Sequence, residues 1–235
     1  MYSLFSKLLH ILGLAPKPSP LPNEARKPKT RKPKVAPERI GELGEHKINI
    51  QLDQLPKACK AVSDLMVRNP KSRTGFAQID HVVVTPYGVF VIETKNYNGE
   101  IKGGREDKQW SVGGRFKMYN PLKQNQGHIK ALDNVLANHA PLSFISLISF
   151  TMRCRFSIDP ALRKIESDEL VVYDVELSEF IQRKLLRQKA IHANPLLSGT
   201  QISQIHQTLI EANVTDPALR REHVQKLQGI TAVKT

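Results

Sequence analysis

The segment AQIDHVVVTPYGVFVIETKNYNGEI, residues 77–101, constrains the fold more than any other stretch. Two strand-length runs, AQIDHVVV and GVFVIETK, flank Thr-Pro-Tyr-Gly. Both are rich in β-branched residues, so the segment reads as a hairpin. With Pro86 and Tyr87 as a two-residue turn, Thr85 lies opposite Gly88. That register sets Asp80 opposite Glu93 and Gln78 opposite Lys95. Directly opposed side chains share a face, with Cβ atoms about 4.5–5.5 Å apart. Glu93 and Lys95 are two residues apart and point the same way. A slip of one residue would turn a strand over. Proline also suits a type I or II turn better than a tight hairpin turn. A longer loop still leaves the two carboxylates close.

Facing carboxylates repel, so most hairpins avoid the pair. A divalent cation reverses the argument, because hard oxygen ligands suit Mg2+ or Mn2+. The backbone carbonyl of Thr94 is a candidate third ligand. Lys95, one pleat from the metal, is placed to orient a water or offset negative charge developing on a phosphate. The alternative for Glu93 and Lys95 is a surface ion pair on an edge strand.

Other polar residues gather around this idea, each with a second reading. Glu42 and Glu45 share one face of a predicted helix over GELGEHKINIQLDQLP. They either reach the metal region or complement the helix dipole. Gln124 and His128 are four apart on a later helix. Gln124 serves either as a ligand to phosphate, water or carboxylate, or as an ordinary surface or core hydrogen bonder. Tyr97 and Trp110 either stack on bases or pack a loop. Lys102 is a candidate contact to a nucleic-acid backbone. His81 points away from Asp80 and receives no catalytic role.

Around the hairpin, MVRN begins a first strand and KSRTG is a turn. Residues 96–114 alternate polar and glycine-rich pieces, one strand followed by a loop. NPLKQNQGHIKALDNVLANHA is a helix capped by Asn120, with Pro121 in its first turn and Ile129, Leu132, Val135 and Leu136 as its core stripe. FISLISFTMRCRFSI reads as a buried strand and LVVYD as another. Helices follow at 177–191, 201–213 and 217–228, with Arg220, Arg221 and Lys226 facing water or a partner. Strands interleaved with helices predict an α/β domain.

The termini and composition bound the partners. Lys and Arg outnumber Asp and Glu by 35 to 22, a net charge of +13. That favours anionic partners: nucleic acid, acidic lipid or acidic protein. Residues 15–38 form a proline- and lysine-rich linker that cannot bury a core. Residues 1–14 read as a short amphipathic helix for peripheral membrane contact or docking. As a secretory signal this run is too short and broken, and Pro16 would follow the cut. No segment has the roughly 20 apolar residues of a membrane span. Cys59 and Cys154 lack zinc-site spacing and read as buried free thiols in a reducing cytoplasm.

GELGE at 41–45, the hairpin at 77–101, Trp110 and NPLKQNQGH at 120–128, taken in order, resemble nuclease-related domain (NERD) proteins. These lie within the restriction-endonuclease-like PD-(D/E)XK class. The resemblance covers residues 40–150 strongly and the next strand and helix more loosely. It implies a mixed sheet flanked by helices, restriction-endonuclease-like, over 39–192, with a C-terminal helical extension at 193–235. It also implies Asp80 as the motif aspartate and Glu93 and Lys95 as the E-x-K pair. Glu45 matches the first-helix glutamate, with Glu42 as second candidate, and Gln124 the later polar residue. The chain departs from the pattern at Ile79–Asp80, where a literal Pro-Asp is absent.

The implied activity is Mg2+-dependent phosphodiester hydrolysis on DNA, in DNA processing or repair, with Mn2+ an alternative ion and RNA an alternative substrate. Two other readings stand beside it. One is a noncatalytic nucleic-acid-binding or repair-associated adaptor, with a protein partner on the C-terminal helices. The other is a membrane-docked regulatory protein. No phosphate-binding loop ending in Lys-Ser/Thr is present.

Overall fold

The computed structural model describes residues 47–139 and 141–232. Glu42, Glu45, the apolar segment 1–14 and the linker 15–38 lie outside the described residues.

Helix α1, residues 47–52 as far as described, buries Ile48 and Leu52. A five-stranded sheet follows, ordered β1 (Lys60–Arg68), β2 (Phe76–Thr85), β3 (Gly88–Lys95), β7 (Phe144–Phe150) and β9 (Glu169–Tyr173). Strands β1, β2 and β3 are antiparallel, whereas β3, β7 and β9 are parallel. A second, four-stranded sheet is ordered β6 (Phe116–Tyr119), β5 (Gln109–Val112), β4 (Gly99–Gly103) and β8 (Cys154–Ile158). Only its β4–β8 pair is parallel. The remaining helices are α2 (Pro121–Val135), α3 (Leu177–Ile191), α4 (Gly199–Ala212) and α5 (Pro217–Ala232). The expected α/β class holds, with two mixed sheets flanked by helices instead of one.

Burial on both faces accounts for the unbroken apolar runs of the hairpin. Val82, Val84, Val89 and Val91 face a core completed by Leu132 of α2 and Ile205 and Leu209 of α4. The alternate residues Val83, Phe90 and Ile92 face a second core with Ile48, Leu177 and Ile181. The turn is the predicted two-residue one, with Thr85 paired to Gly88. Thr85 secures it: its hydroxyl donates to the Gly88 carbonyl at 2.7 Å and accepts from the Tyr87 N–H at 3.2 Å. Gly88 is required twice over. Its φ is +135°, and a β carbon there would lie 2.6 Å from the Ser143 carbonyl oxygen.

Three segments depart from expectation. Residues 96–114 do not run out into a loop after one strand; they supply β4 and β5 and lead into β6. Those strands are four or five residues long, too short for periodicity to register. FISLISFTMRCRFSI is two strands, β7 and β8, in different sheets. The region 193–235 is less of an appendage than expected. Leu197, Ile202, Ile205 and Leu209 are buried in the central core, so α4 is one of its walls.

The chain crosses between sheets twice, side by side. The Thr151 N–H donates to the Lys95 carbonyl at 3.1 Å, and the Gly99 N–H to the Arg153 carbonyl at 3.2 Å. The parallel pair β3–β7 thus continues around a corner as the parallel pair β4–β8.

Cys154 is buried and Cys59 half-buried, and both are free. Burial pushes each thiol up to about 11, which leaves them protonated and unreactive. Among the described residues, no helix is long and apolar enough to cross a membrane.

Candidate functional site

The β2–β3 ladder runs in the predicted register from Thr85–Gly88 to His81–Ile92 and ends there. The next residues are the acids. Asp80 takes over the pairing with its side chain. Its Oδ2 accepts from the Thr94 N–H at 2.7 Å and the Thr94 hydroxyl at 2.6 Å. On the other side, Asp64 falls in register with Asp80 but interrupts the β1–β2 pairing, with φ +51°. Its carboxylate is turned to Arg220 of α5 at 2.6 Å and to Gln78 at 2.8 Å. Gln78, expected opposite Lys95, is thereby committed to Asp64. Arg220, expected to face water or a partner, is instead anchored to the edge of the sheet. Lys226 pairs with Glu222, and Arg221 is exposed.

Glu93 is 4% exposed and lies at the centre of a polar cluster. Lys95 Nζ donates to its Oε1 at 2.6 Å and to the Gln124 Oε1 at 3.0 Å. Gln124 Nε2 donates to the same Glu93 Oε1 at 2.7 Å. Helix α2 delivers Gln124 because Asn120 fixes where the helix begins. The Asn120 side chain accepts from the Leu122 N–H at 2.9 Å and donates to the carbonyls of Gly104, Arg105 and Asp107. Asn125 then pins the helix to the sheet, donating to the Val91 carbonyl at 2.8 Å and the Ser146 hydroxyl at 2.9 Å. His128 follows Gln124 one turn later on the same face.

Burial dominates the electrostatics. It raises Glu93 to about 7, against the pull of the Lys95 charge. Burial also opposes the Lys95 charge, but the Glu93 carboxylate and its hydrogen bond win, and Lys95 stays protonated with a raised pKa. Lys95 is therefore the permanent cation, and Glu93 the group that titrates near neutrality. Burial pushes His128 down to about 4. Its Nδ1 lies 3.4 Å from Glu93 Oε2, but the imidazole is neutral and the contact is no ion pair. Neither of those two buried atoms completes a hydrogen bond.

Asp80, Glu93, Gln124 and His128 line one open cleft of about 610 Å³. Lys71 and Arg73 of the β1–β2 loop, Tyr119 of β6 and His223 of α5 line it too. Trp110 does not reach it. The indole is fully buried, and its Nε1–H donates to the Gly104 carbonyl at 2.9 Å. Gly103 is the reason the ring fits: a β carbon there would lie 2.2 Å from it. No face of Trp110 is left for a base, so of its two readings loop packing holds. Tyr97 is half-buried, its ring 5.6 Å from that of Phe116. Lys102 is exposed. His81 turns away from Asp80, as expected, with its Nδ1 2.9 Å from the Ser63 hydroxyl.

The whole polar cluster falls inside a segment that matches a known family. Residues 40–151 match the nuclease-related domain, NERD. The similarity to NERD covers just under half of the chain. The match supports a nuclease-related role, with nucleic acid the related partner and a divalent metal the related cofactor. An uncharacterized protein of Bacillus anthracis is 28% identical over 203 residues, covering 83% of this chain and 87% of the relative. That similarity is longer than the NERD segment itself. No solved structure matches the chain.

Sequence reasoning missed Tyr119, Lys71, Arg73 and His223 around the cleft. Three of these left a signal. Tyr119 immediately precedes the Asn120 cap of the helix that carries Gln124. Lys71 and Arg73 sit in the turn that leads into the strand of Asp80.

Proposed function

We propose that the NERD site hydrolyses phosphodiester bonds in DNA, with Asp80 and Glu93 holding Mg2+ or Mn2+. The observation that carries this reading is the convergence of Lys95 and Gln124 on Glu93, which lines one cleft with Asp80 and Gln124.

The donor set fits a hard cation. Glu93 Oε2 is buried without a hydrogen-bond partner. Among the described residues, Asp80 is hydrogen-bonded only through Oδ2. No group of three or more His, Cys, Asp or Glu side chains among the described residues is arranged to hold a metal. In this reading Asp80 and Glu93 are the side-chain ligands, with the Thr94 carbonyl and water as further oxygen donors. When bound, such an ion polarises a phosphodiester oxygen and makes water a better nucleophile. Lys95, always charged, stabilises negative charge developing at phosphorus or holds the attacking water. Gln124 keeps Lys95 and Glu93 in place, and Thr94 orients Asp80 through two hydrogen bonds. Basic residues around the cleft hold the backbone, which makes binding salt-dependent.

A second reading, a noncatalytic nucleic-acid-binding adaptor, draws on the 2.6 Å Lys95–Glu93 contact. Each charge already satisfies the other. Cleavage of labelled single-stranded, duplex, nicked and branched DNA and of RNA, in Mg2+, Mn2+ or EDTA, separates the two. Hydrolysis that needs metal and disappears in folded Asp80→Ala, Glu93→Ala and Lys95→Ala supports the hydrolase. Salt-sensitive binding with no cutting in any protein supports the adaptor.

A further inference from the structure

The NERD cleft opens beside the solvent face of the second sheet, and that face has a consistent chemistry. Tyr119 ends β6, lines the cleft and is 52% exposed. Lys117, two residues back, shares its face of the strand. Ser111 pairs with Lys117, and Lys102 pairs with Ser111. Ser157 of β8 pairs with Lys102 and extends the row across all four strands. The residues of the opposite face, Ile101, Trp110, Val112 and Met118, are buried, so this row is the outer one. Lys102, Lys117 and Ser157 are exposed. In the cleft itself, Lys71 and Arg73 are exposed as well. None of these four cations forms an ion pair among the described residues, and the acid on the same outer face, Glu100, pairs with Arg155 of β8.

Unpaired cations in a row, with hydroxyls between them and one accessible aromatic ring where the row meets the cleft, suit a particular ligand. Single strands bind proteins through phosphates on cations and bases stacked on aromatic faces. A duplex keeps its bases stacked inside and offers Tyr119 nothing to stack on.

We propose that the outer face of the second sheet is a track for an unpaired nucleic-acid strand. Tyr119 stacks one base. Lys102 and Lys117 hold the flanking phosphates, and Lys71 and Arg73 take the strand on past Asp80 and Glu93. The hydrolase reading supplies what happens at the carboxylates; the binding stands without it.

Fluorescence anisotropy in EDTA, with the full chain, tests this. Probes are labelled single-stranded DNA, single-stranded RNA and duplex DNA of one length. The expected result is tighter binding of single strands than of duplex. Tyr119→Ala should weaken single-strand binding about 5- to 100-fold, Tyr119→Phe should restore it, and duplex binding should not change. The double variant Lys102→Ala/Lys117→Ala should flatten the slope of log affinity against log salt by about 1.4. Circular dichroism confirms folding. The DNA and RNA arms tell which strand the track takes. Single-strand binding untouched by Tyr119→Ala, duplex bound as well as single strands, or no binding at all overturns the track. Binding that follows Tyr119 without cleavage in Mg2+ leaves the track standing and removes the hydrolase. Cleavage that ignores Tyr119 on single strands overturns the track alone.

Discussion

Gln124 holds Glu93 and Lys95 at the same time: its amide nitrogen donates to Glu93 Oε1 at 2.7 Å, and its carbonyl oxygen accepts from Lys95 Nζ at 3.0 Å. No other residue among those described fixes both members of the pair. Gln124→Ala should leave the fold intact and lower metal-dependent cleavage about 10- to 100-fold, the usual effect of removing an outer positioning group. Gln124→Glu should cost more, because it places a second carboxylate against Glu93. Cleavage rates at saturating and limiting Mg2+ separate lost metal affinity from lost turnover.

Glu93 makes stability depend on pH in an unusual direction. Its folded pKa, about 7, lies above the ordinary 4.5. The folded state therefore holds a proton that the unfolded state releases. The stabilisation is fully present below about pH 4.5 and is lost as pH rises through 7, up to about 3 kcal/mol. Urea unfolding in EDTA at pH 5 and pH 8 should show this, and Glu93→Gln should flatten the difference. Metal binding must displace the same proton, so affinity for Mg2+ should climb with pH to about 7 and then level off.

His128 acts at the acid end with the opposite sign. Burial holds it neutral down to about pH 4. Its contribution is present above pH 6.5 and lost as pH falls toward 4. His128→Gln should remove that acid limb from the unfolding profile and leave the neutral-pH behaviour of Glu93 in place.

Lys184 is 1% exposed and donates to three backbone carbonyls, those of Ile165, Glu166 and Ser167. It also pairs with Asp168 at 2.8 Å. Lys184→Met keeps the packing of the stem but strands the carbonyls. Denaturant unfolding should show a loss of about 3 kcal/mol. Lys184 does not line the cleft, so folded Lys184→Met should keep its DNA affinity.

Asn120 links stability to the site. Asn120→Ala removes the cap of α2 and takes its donor from the Arg105 and Asp107 carbonyls, while the Gly104 carbonyl keeps the Trp110 N–H. A loss of about 2 kcal/mol or more is expected. Because α2 carries Gln124 and His128, cleavage should fall more than global stability explains, which thermal unfolding beside the cleavage assay measures.

What the sequence disclosed follows physical range. The hairpin register was legible because Thr85-Pro86-Tyr87-Gly88 fixes it locally and the pairs as far as His81–Ile92 inherit it; the expected Asp80–Glu93 and Gln78–Lys95 pairs lie past the end of that ladder. The α2 stripe and its Asn120 cap were legible for the same reason. Asp64 was not, since its role depends on a positive φ and on Arg220, 156 residues away. Trp110 invited two readings because an isolated aromatic in a glycine-rich stretch carries no period. The close approach of Gly103 decides between them, and that is a tertiary fact. Tyr119 could be placed only once β6 was known to be an edge strand beside the cleft.

The double crossing between the sheets has a mechanical consequence. A single connection would let one sheet swing against the other. Here two hydrogen-bonded strands turn the same corner together, and Lys95 sits at the bend with its carbonyl tied to Thr151. Six residues of continuous strand-and-corner lie between Lys95 and Lys102. A strand gripped at Lys102 would meet the carboxylates at a set reach, as work clamped in a jig meets the blade. Cuts made at this site would fall a constant number of nucleotides from the grip, and product lengths would report the span of the corner.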